Sequence, residues 1–162
     1  MFIDKDDNSG FQWLFVGTPL ALGAVLILAI SNPPKQTPVA NSEVAFGCYV
    51  NDRAPAILLS ANGMHILQPN FPIIPFHLEK HKNGYSLTAD RPIKAEAQGR
   101  RFTYAFYRPG DGTYLNFFHI VAGVKYGAFE KEDLDGFTMV ARDGTGLSYA
   151  AASKKACTPG LR

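Results

Sequence analysis

Four side chains between residues 77 and 90 have the types and spacing of a metal or acid–base site. His77, Glu79 and His81 alternate along one stretch, and Asp90 follows on the next. Alternate residues of a strand point to one face at intervals of about 6.6 Å. Two imidazoles and a carboxylate form a known zinc-ligand set. A flat strand spreads these side chains instead of converging them, so we interpret the four as the polar face of a β-hairpin.

The hairpin itself is predicted from the Asn83-Gly84 pair, which separates FHLEKHK from YSLTAD. Asn-Gly is typical of a two-residue type I′ turn. With these two residues as the loop, His77 lies opposite Asp90 and His81 lies opposite Ser86.

Two more specific functions remain as alternatives for this polar face. One is a metal-dependent enzyme or sensor that uses His77, Glu79, His81 and Asp90, and the other is a face that responds to pH through its histidines.

Other catalytic signatures are missing from the sequence. It contains no G-x-S-x-G elbow, no P-loop, no G-x-G-x-x-G and no C-x-x-C. His65 and His119 each stand alone in a predicted strand, where a histidine usually has a structural partner. We therefore expect a protein that is not an enzyme and that carries no cofactor and no metal.

Aromatic residues are dense between 102 and 118, and Arg100, Arg101 and Arg108 lie nearby in the sequence. We expect these rings to fill the core of a small β-domain, because Phe102, Tyr104 and Phe106 alternate along one strand face. A protein-docking surface and a bound small ligand are the alternatives. A net charge of +2 is too balanced to favour nucleic acid as a partner.

The elements that position these residues are short strands joined by turns. Asn62-Gly63, Asp143-Gly144 and the looser Pro109–Gly112 stretch repeat the turn signal of the first hairpin. Residues 44–162 are therefore predicted to form eight to ten antiparallel strands, a β-meander packed as a barrel or sandwich. This architecture resembles small lipocalin-like barrels in outline only, which does not indicate a function.

The front of the chain predicts a single transmembrane helix. Residues 13–30 contain no charge and would span about 27 Å as a helix, close to the hydrocarbon thickness of a bilayer. A polar tail (1–12) precedes this stretch and a proline-rich linker (31–43) follows it. A cleaved signal peptide ending near Ala29-Ile30-Ser31 is the alternative, but the front tail is acidic where a signal peptide is basic. A stripe of small or aliphatic side chains would suit docking on another helix: Gly17, Ala21, Ala24 and Leu28.

The two cysteines indicate the compartment. Cys48 and Cys157 lie near the two ends of the predicted β-domain, where first and last strands often meet. We expect them to form a disulfide, which persists in an oxidising compartment. Two free thiols in the cytosol are the alternative. The bridge, with the helix, predicts an inner-membrane protein whose C-terminal domain lies in the periplasm.

Together these features predict a non-catalytic, single-pass membrane protein. We expect an accessory or assembly subunit of a larger bacterial envelope complex, in contact with the lipid bilayer and with other subunits but not with nucleic acid. The first alternative is a lipocalin-like domain that binds a lipid, a pigment or another small ligand. The second is the metal-dependent enzyme or sensor described above.

Overall fold

The structure is a computed structural model that describes residues 41–108 and 113–158. This part of the chain is all-β, as predicted. It contains three 3-10 turns, Ser42–Ala45, Lys131–Asp133 and Lys154–Cys157. Its strands are β1 (Gly47–Val50), β2 (Ile57–Ser60), β3 (Gly63–Ile66), β4 (Phe76–His81), β5 (Gly84–Ala89), β6 (Ile93–Gln98), β7 (Arg101–Phe106), β8 (Thr113–Val121), β9 (Val124–Gly127), β10 (Gly136–Val140) and β11 (Gly146–Ala152).

Most strands belong to one antiparallel sheet that curls into a nearly closed barrel. The sheet runs in the order β3-β2-β1-β11-β10-β8-β5-β4, and β9 pairs with β8. Its two edges approach each other at Met64 and Ile74, which form an isolated antiparallel bridge. Two backbone hydrogen bonds of 2.8 and 3.0 Å make this bridge. A barrel that closes leaves fewer unpaired strand edges than an open sheet.

The strand directions define two ends of the barrel. At the proximal end the chain enters through Asn41 and the 3-10 turn Ser42–Ala45. The same end holds the start of β10 and the end of β8, because Gly136 pairs with both Phe118 and Ala150 while Cys48 pairs with Ala152. The Ser42–Ala45 turn also contacts the Lys131–Asp133 turn that precedes β10. The entry of the chain and the β8–β9 hairpin therefore share the proximal end.

The β6–β7 hairpin forms a separate two-stranded sheet that covers the opposite, distal end. Phe102 N–H donates to the Arg53 carbonyl at 2.8 Å, and Arg142 N–H donates to the Ala95 carbonyl at 2.9 Å. Gln68 bonds both backbone groups of Tyr104, at 3.0 and 2.7 Å. These bonds tie the hairpin to the loops beyond β1, β3 and β10.

Aromatic side chains fill the barrel interior. Tyr49, Phe117, Phe137 and Tyr149 are buried and form a chain of ring contacts with centroids 5.0–6.1 Å apart. Phe102 and Tyr104 are also buried, as predicted from their alternation. The prediction was wrong for Phe106, which ends β7 and is 39% exposed, because its ring stacks on Phe71 outside the barrel core. Ring pairs at these separations add about 0.5–1.5 kcal/mol each beyond the area they bury. The interior is thus packed from residues of four neighbouring strands.

The predicted turn geometry at Asn83-Gly84 was wrong. The loop residues are Lys82 and Asn83, and His81 pairs with Gly84. Gly84 has φ of +111°, whereas neither loop residue has a positive φ, so the turn is not type I′. His77 lies opposite Thr88 and Glu79 opposite Ser86. Pairing has shifted by two positions, and an even shift leaves every side chain on its predicted face.

The other two Asx-Gly turns also differ from the predicted type I′ geometry. Ala61 and Asn62 form the β2–β3 loop, and His65 pairs with Leu58. In the β10–β11 turn, Ala141 N–H donates to the Thr145 carbonyl at 2.8 Å, which leaves three residues in the loop. The positive φ can be supplied equally by a glycine inside the turn or by one directly after it.

A type I′ turn does occur where no Asx-Gly pair marks it. Ala122 and Gly123 connect β8 to β9 with φ of 50° and 81°. This hairpin escaped prediction because alanine is rarely left-handed. With β9, the described strands number eleven, one above the predicted range. The predicted turn at 109–112, the tail 1–12, the helix 13–30 and the linker up to residue 40 lie outside the described residues.

Candidate functional site

The four candidate ligands lie together on the outer face of β4 and at the end of β5. The Nε2 atom of His77 hydrogen-bonds to Oε1 of Glu79 at 3.0 Å, and its Nδ1 lies 3.4 Å from Oδ1 of Asp90. His81 Nε2 lies 3.0 Å from the other oxygen of Glu79 but out of line for a hydrogen bond, so that oxygen has no hydrogen-bond partner. Imidazole and carboxylate groups therefore alternate along the face.

In this arrangement the candidate ligands pair with one another. Both ring nitrogens of His77 face carboxylates, whereas a metal ligand needs a free nitrogen lone pair directed at the ion. Among residues 41–108 and 113–158, no group of three or more His, Cys, Asp or Glu side chains is arranged to hold a metal ion. The cluster can pair charges when a histidine is protonated.

The polar face is less exposed to solvent than the sequence indicated. Ser86 is buried, and the Glu79 side chain is only 12% exposed. The hydroxyl oxygens of Ser86 and Thr88 are buried without a protein hydrogen-bond partner. The opposite face packs as predicted, with Leu78, Leu87 and Ala89 in the core. The histidine face is thus a half-covered polar surface beside a packed one.

His119 has the structural partner that was expected of a lone histidine. Its Nδ1 hydrogen-bonds to Oδ2 of Asp135 at 2.8 Å, and the same oxygen accepts the Ile120 N–H at 2.7 Å. Asp133 lies 3.7 Å from the other ring nitrogen. No serine, threonine or cysteine bonds to this imidazole among the described residues, so the pair anchors the base of the β8–β9 hairpin.

The predicted disulfide is present. Cys48 and Cys157 are bonded across a sequence separation of 109 residues, and both are buried. The bridge joins β1 to the 3-10 turn that follows β11, beside the pairing of Cys48 with Ala152. The first and last strands of the barrel are neighbours, which is why these distant cysteines meet.

Positive charge is concentrated at the distal end. Residues 91–108, which we call the basic cap, carry five basic side chains (Arg91, Lys94, Arg100, Arg101 and Arg108) and one acidic side chain, Glu96. The rest of the chain from residue 32 onward carries ten basic and ten acidic residues, so the basic cap accounts for the net charge of the β-domain. The four arginines of the cap are exposed.

Aromatic rings lie under several of these cations. The Arg91 guanidinium lies 3.9 Å from the centroid of the Phe106 ring, which is 39% exposed and stacks on Phe71. Lys94 and Arg142 both approach the ring of Tyr107, at 5.8 and 5.6 Å. Contacts between a cation and a ring face are worth about 0.5–1 kcal/mol at exposed sites. They hold the charged groups in place at the surface.

Side chains of the described residues meet across the interior of the barrel. Tyr104 and Tyr149 meet inside the barrel through a 2.6 Å hydroxyl–hydroxyl bond, and Tyr149 donates to the Pro55 carbonyl at 3.0 Å. Two clefts of about 250 and 290 Å³ open at loops and strand ends, one beside Phe46 and Phe76 and the other beside Asp52 and Arg53. A carrier barrel needs space among its central side chains.

The predicted helix-docking stripe, Gly17, Ala21, Ala24 and Leu28, lies outside the described residues. None of the helices in the described part of the chain has the length and apolar character needed to cross a membrane. Arg100, Arg101 and Arg108 were recognised from the sequence, but their place in one hairpin region with Arg91 and Lys94 was not. This shared location depends on the pairing of β6 with β7, which no turn motif in the sequence predicts.

Comparison of the chain with family models, curated proteins and solved structures returns no match in any of the three.

Proposed function

We propose that this protein is a non-catalytic, membrane-anchored accessory or assembly subunit of a larger bacterial envelope complex. The apolar residues 13–30 are its single-pass anchor in the inner membrane. Its β-domain lies in the periplasm and binds a protein partner through the basic cap. The observation that best supports this proposal is that exposed arginines and aromatic rings lie together at the distal end of the barrel.

The residue types of the basic cap suit a protein interface. Arginine and aromatic residues are enriched in interface hot spots, because they combine a large contact area with directional bonds. A guanidinium already stacked on a ring, as Arg91 is on Phe106, loses less freedom on binding than a mobile one. The four arginines point to an acidic partner surface, since guanidinium and carboxylate form paired hydrogen bonds.

The compartment is supported by the buried disulfide between Cys48 and Cys157. Disulfides of this structural kind persist outside the reducing cytosol. A periplasmic location excludes nucleic acid as a partner. The net charge of +2 is also too small to favour nucleic-acid binding. The filled barrel interior favours a role in binding at the surface over a role in carrying a ligand.

The test is co-purification of the full-length chain from its own envelope in mild detergent. We expect a protein partner near stoichiometric amount with the wild type. Reversing two exposed charges, Arg91→Glu with Arg101→Glu, should weaken recovery of that partner about tenfold, corresponding to about 1.4 kcal/mol.

The matched control reverses two exposed lysines away from the basic cap, Lys82→Glu with Lys154→Glu. This variant changes net charge by the same amount and should retain the partner. A chain that always purifies alone contradicts the proposal, and so does equal loss of the partner in the two double variants.

A further inference from the structure

The tip of the β8–β9 hairpin is apolar and open to solvent on both faces. Val121 pairs with Val124 across the Ala122-Gly123 turn, so residues 120–124 read Ile-Val-Ala-Gly-Val without a polar side chain. Ile120, Val121, Val124 and Tyr126 are 42–56% exposed. Hairpin turns are usually polar, because their side chains face water. A contiguous apolar tip indicates a surface that contacts something other than water.

The base of the hairpin is fixed by side-chain contacts, while its tip is exposed. Asp135 holds both the His119 ring and the Ile120 N–H, at 2.8 and 2.7 Å. On the other strand, Lys125 lies 4.5 Å from the Phe118 ring centroid and donates to the Ser148 hydroxyl. These contacts fix the orientation of the hairpin, so its exposed tip points in a defined direction.

The position of the tip suits contact with a membrane. The hairpin shares the proximal end of the barrel with Asn41, where the chain enters the domain. Residues 31–40 connect Asn41 to the apolar stretch 13–30, and ten extended residues reach at most about 36 Å. In an anchored chain the proximal end of the barrel is therefore within reach of the bilayer surface.

The order of residue types along the hairpin also suits a bilayer. The tip is aliphatic, and Tyr126 and Lys125 follow it toward the base. Tyrosine concentrates at the headgroup level, and lysine places its stem along apolar surface with its charge in water. A convex aliphatic tip needs no shaped pocket to enter a fluid lipid layer.

We propose that the β8–β9 hairpin inserts its tip, Ile120–Val124, into the interfacial layer of the bilayer that anchors the chain. This inference rests on the proposed membrane anchoring of residues 13–30. It orients the β-domain with the proximal end on lipid and the basic cap directed away from it, toward the partner. A protein pocket that receives the tip is the competing outcome of the test.

The chain has one tryptophan, Trp13, which makes site-specific fluorescence practical. The full-length variant Trp13→Phe with Val121→Trp, called the tip variant, is reconstituted in phosphatidylcholine–phosphatidylglycerol vesicles, with and without brominated acyl chains. We expect at least about twofold quenching by the brominated lipid and a blue-shifted emission, as for a side chain at the acyl boundary.

The matched control places tryptophan at Val140, in the variant Trp13→Phe with Val140→Trp. Val140 is 60% exposed and lies at the distal end of β10, so its emission should stay red-shifted and unquenched. Equal quenching at both positions overturns the inference, because it shows lipid contact without orientation. Emission of the tip variant that is blue-shifted but unquenched also overturns it, in favour of burial in protein.

Wild-type Trp13 separates the two proposals. If Trp13 is quenched and the tip variant is not, the anchor stands and the hairpin inference fails. If the tip variant is quenched and Trp13 is not, the hairpin binds lipid and the anchor fails. If neither is quenched, both fail. Far-ultraviolet circular dichroism of each variant checks that the barrel is intact, and Val124→Trp replaces Val121→Trp if the latter does not fold.

Discussion

Three buried tyrosines illustrate how single residues hold this barrel together. The hydroxyl of Tyr49 donates to the Ala45 carbonyl at 3.0 Å, which fastens the chain entry to the core. Tyr149 uses its proton on the Pro55 carbonyl, which leaves Tyr104 to donate to the Tyr149 oxygen. The Tyr104–Tyr149 bond connects the β6–β7 hairpin to the main sheet. A buried hydroxyl that lost its partner would keep its full desolvation cost.

The substitution Tyr104→Phe tests that connection. It removes the 2.6 Å bond to Tyr149 without opening a large cavity, so we expect a loss of about 1–2 kcal/mol in the free energy of unfolding. Urea denaturation measures the change. Tyr114→Phe is the control, since Tyr114 is 54% exposed and should change stability by less than about 0.5 kcal/mol. Equal effects of the two substitutions would contradict a role for the buried bond.

The same tyrosines predict a loss of stability at alkaline pH. Burial raises the pKa of Tyr49 to about 12, and the pKa values of Tyr104 and Tyr149 are also raised by burial. An unfolded tyrosine releases its proton near pH 10, whereas these folded ones retain it. The unfolded state thus binds fewer protons above about pH 10, and stability falls as pH rises from about 10 to 12.

The slope of that fall is the measurable quantity. Each buried tyrosine contributes up to about 1.4 kcal/mol per pH unit between its unfolded and folded pKa values. Tyr49→Phe should make the decrease of unfolding free energy between about pH 10 and 12 shallower, whatever its effect at neutral pH. A Tyr49→Phe slope equal to that of the wild type would show that burial of this hydroxyl is not linked to folding.

At the scale of elements, close approach of strands restricts residue choice in the middle of the sheet. Gly136 begins β10 between β8 and β11, where an added Cβ would overlap the Tyr149 carbonyl oxygen and the Phe118 ring. Gly146 begins β11 at the other side of the same hairpin, and no heavy atom lies within 4 Å of an added Cβ there. Two glycines of one hairpin thus serve different purposes.

We expect Gly136→Ala to cost about 2–3 kcal/mol of unfolding free energy, because backbone and ring must both move to admit the methyl group. Gly146→Ala should stay within about 0.5 kcal/mol of the wild type. Thermal and urea unfolding of the two variants, side by side, provide the measurement. Comparable destabilisation by both would mean that strand propensity, and not close approach, explains Gly136.

In the β4–β5 hairpin the predicted faces of the strands are correct although their predicted pairing is wrong. The pairing shifted by two positions from the Asn83-Gly84 prediction, yet His77, Glu79 and His81 remained on one face with Ser86 and Thr88. Face assignment depends on the two-residue period of a strand, which the sequence displays directly. Pairing depends on which turn conformation is lower in energy, and Asn-Gly suits more than one.

At the scale of the whole molecule, the disulfide closes the barrel between its first and last strands. Its loop of 109 residues restricts the unfolded chain. By the chain-entropy model a loop of this length contributes about 4–5 kcal/mol. The bond is buried beside β1, so its loss also releases the 3-10 turn Lys154–Cys157.

Removal of the bridge therefore has a large expected effect. Cys48→Ser with Cys157→Ser should lower the free energy of unfolding by about 4–5 kcal/mol, and a reductant should do the same to the wild type. Urea unfolding with and without reductant measures both. Superimposable curves for the oxidised and reduced wild type would show that the bridge does not stabilise the barrel.

The sequence by itself determined the all-β class, the half-buried alternation of β4 and β5, the core position of Phe102 and Tyr104 and the pairing of the only two cysteines. These follow from local period, turn residues and composition, which each short stretch carries. Only the tertiary structure decided the near closure at Met64 and Ile74, the β8–β9 hairpin and the two distinct ends of the barrel. Those features depend on which distant strands pair, and pairing energy is shared among many weak contacts that no single stretch encodes.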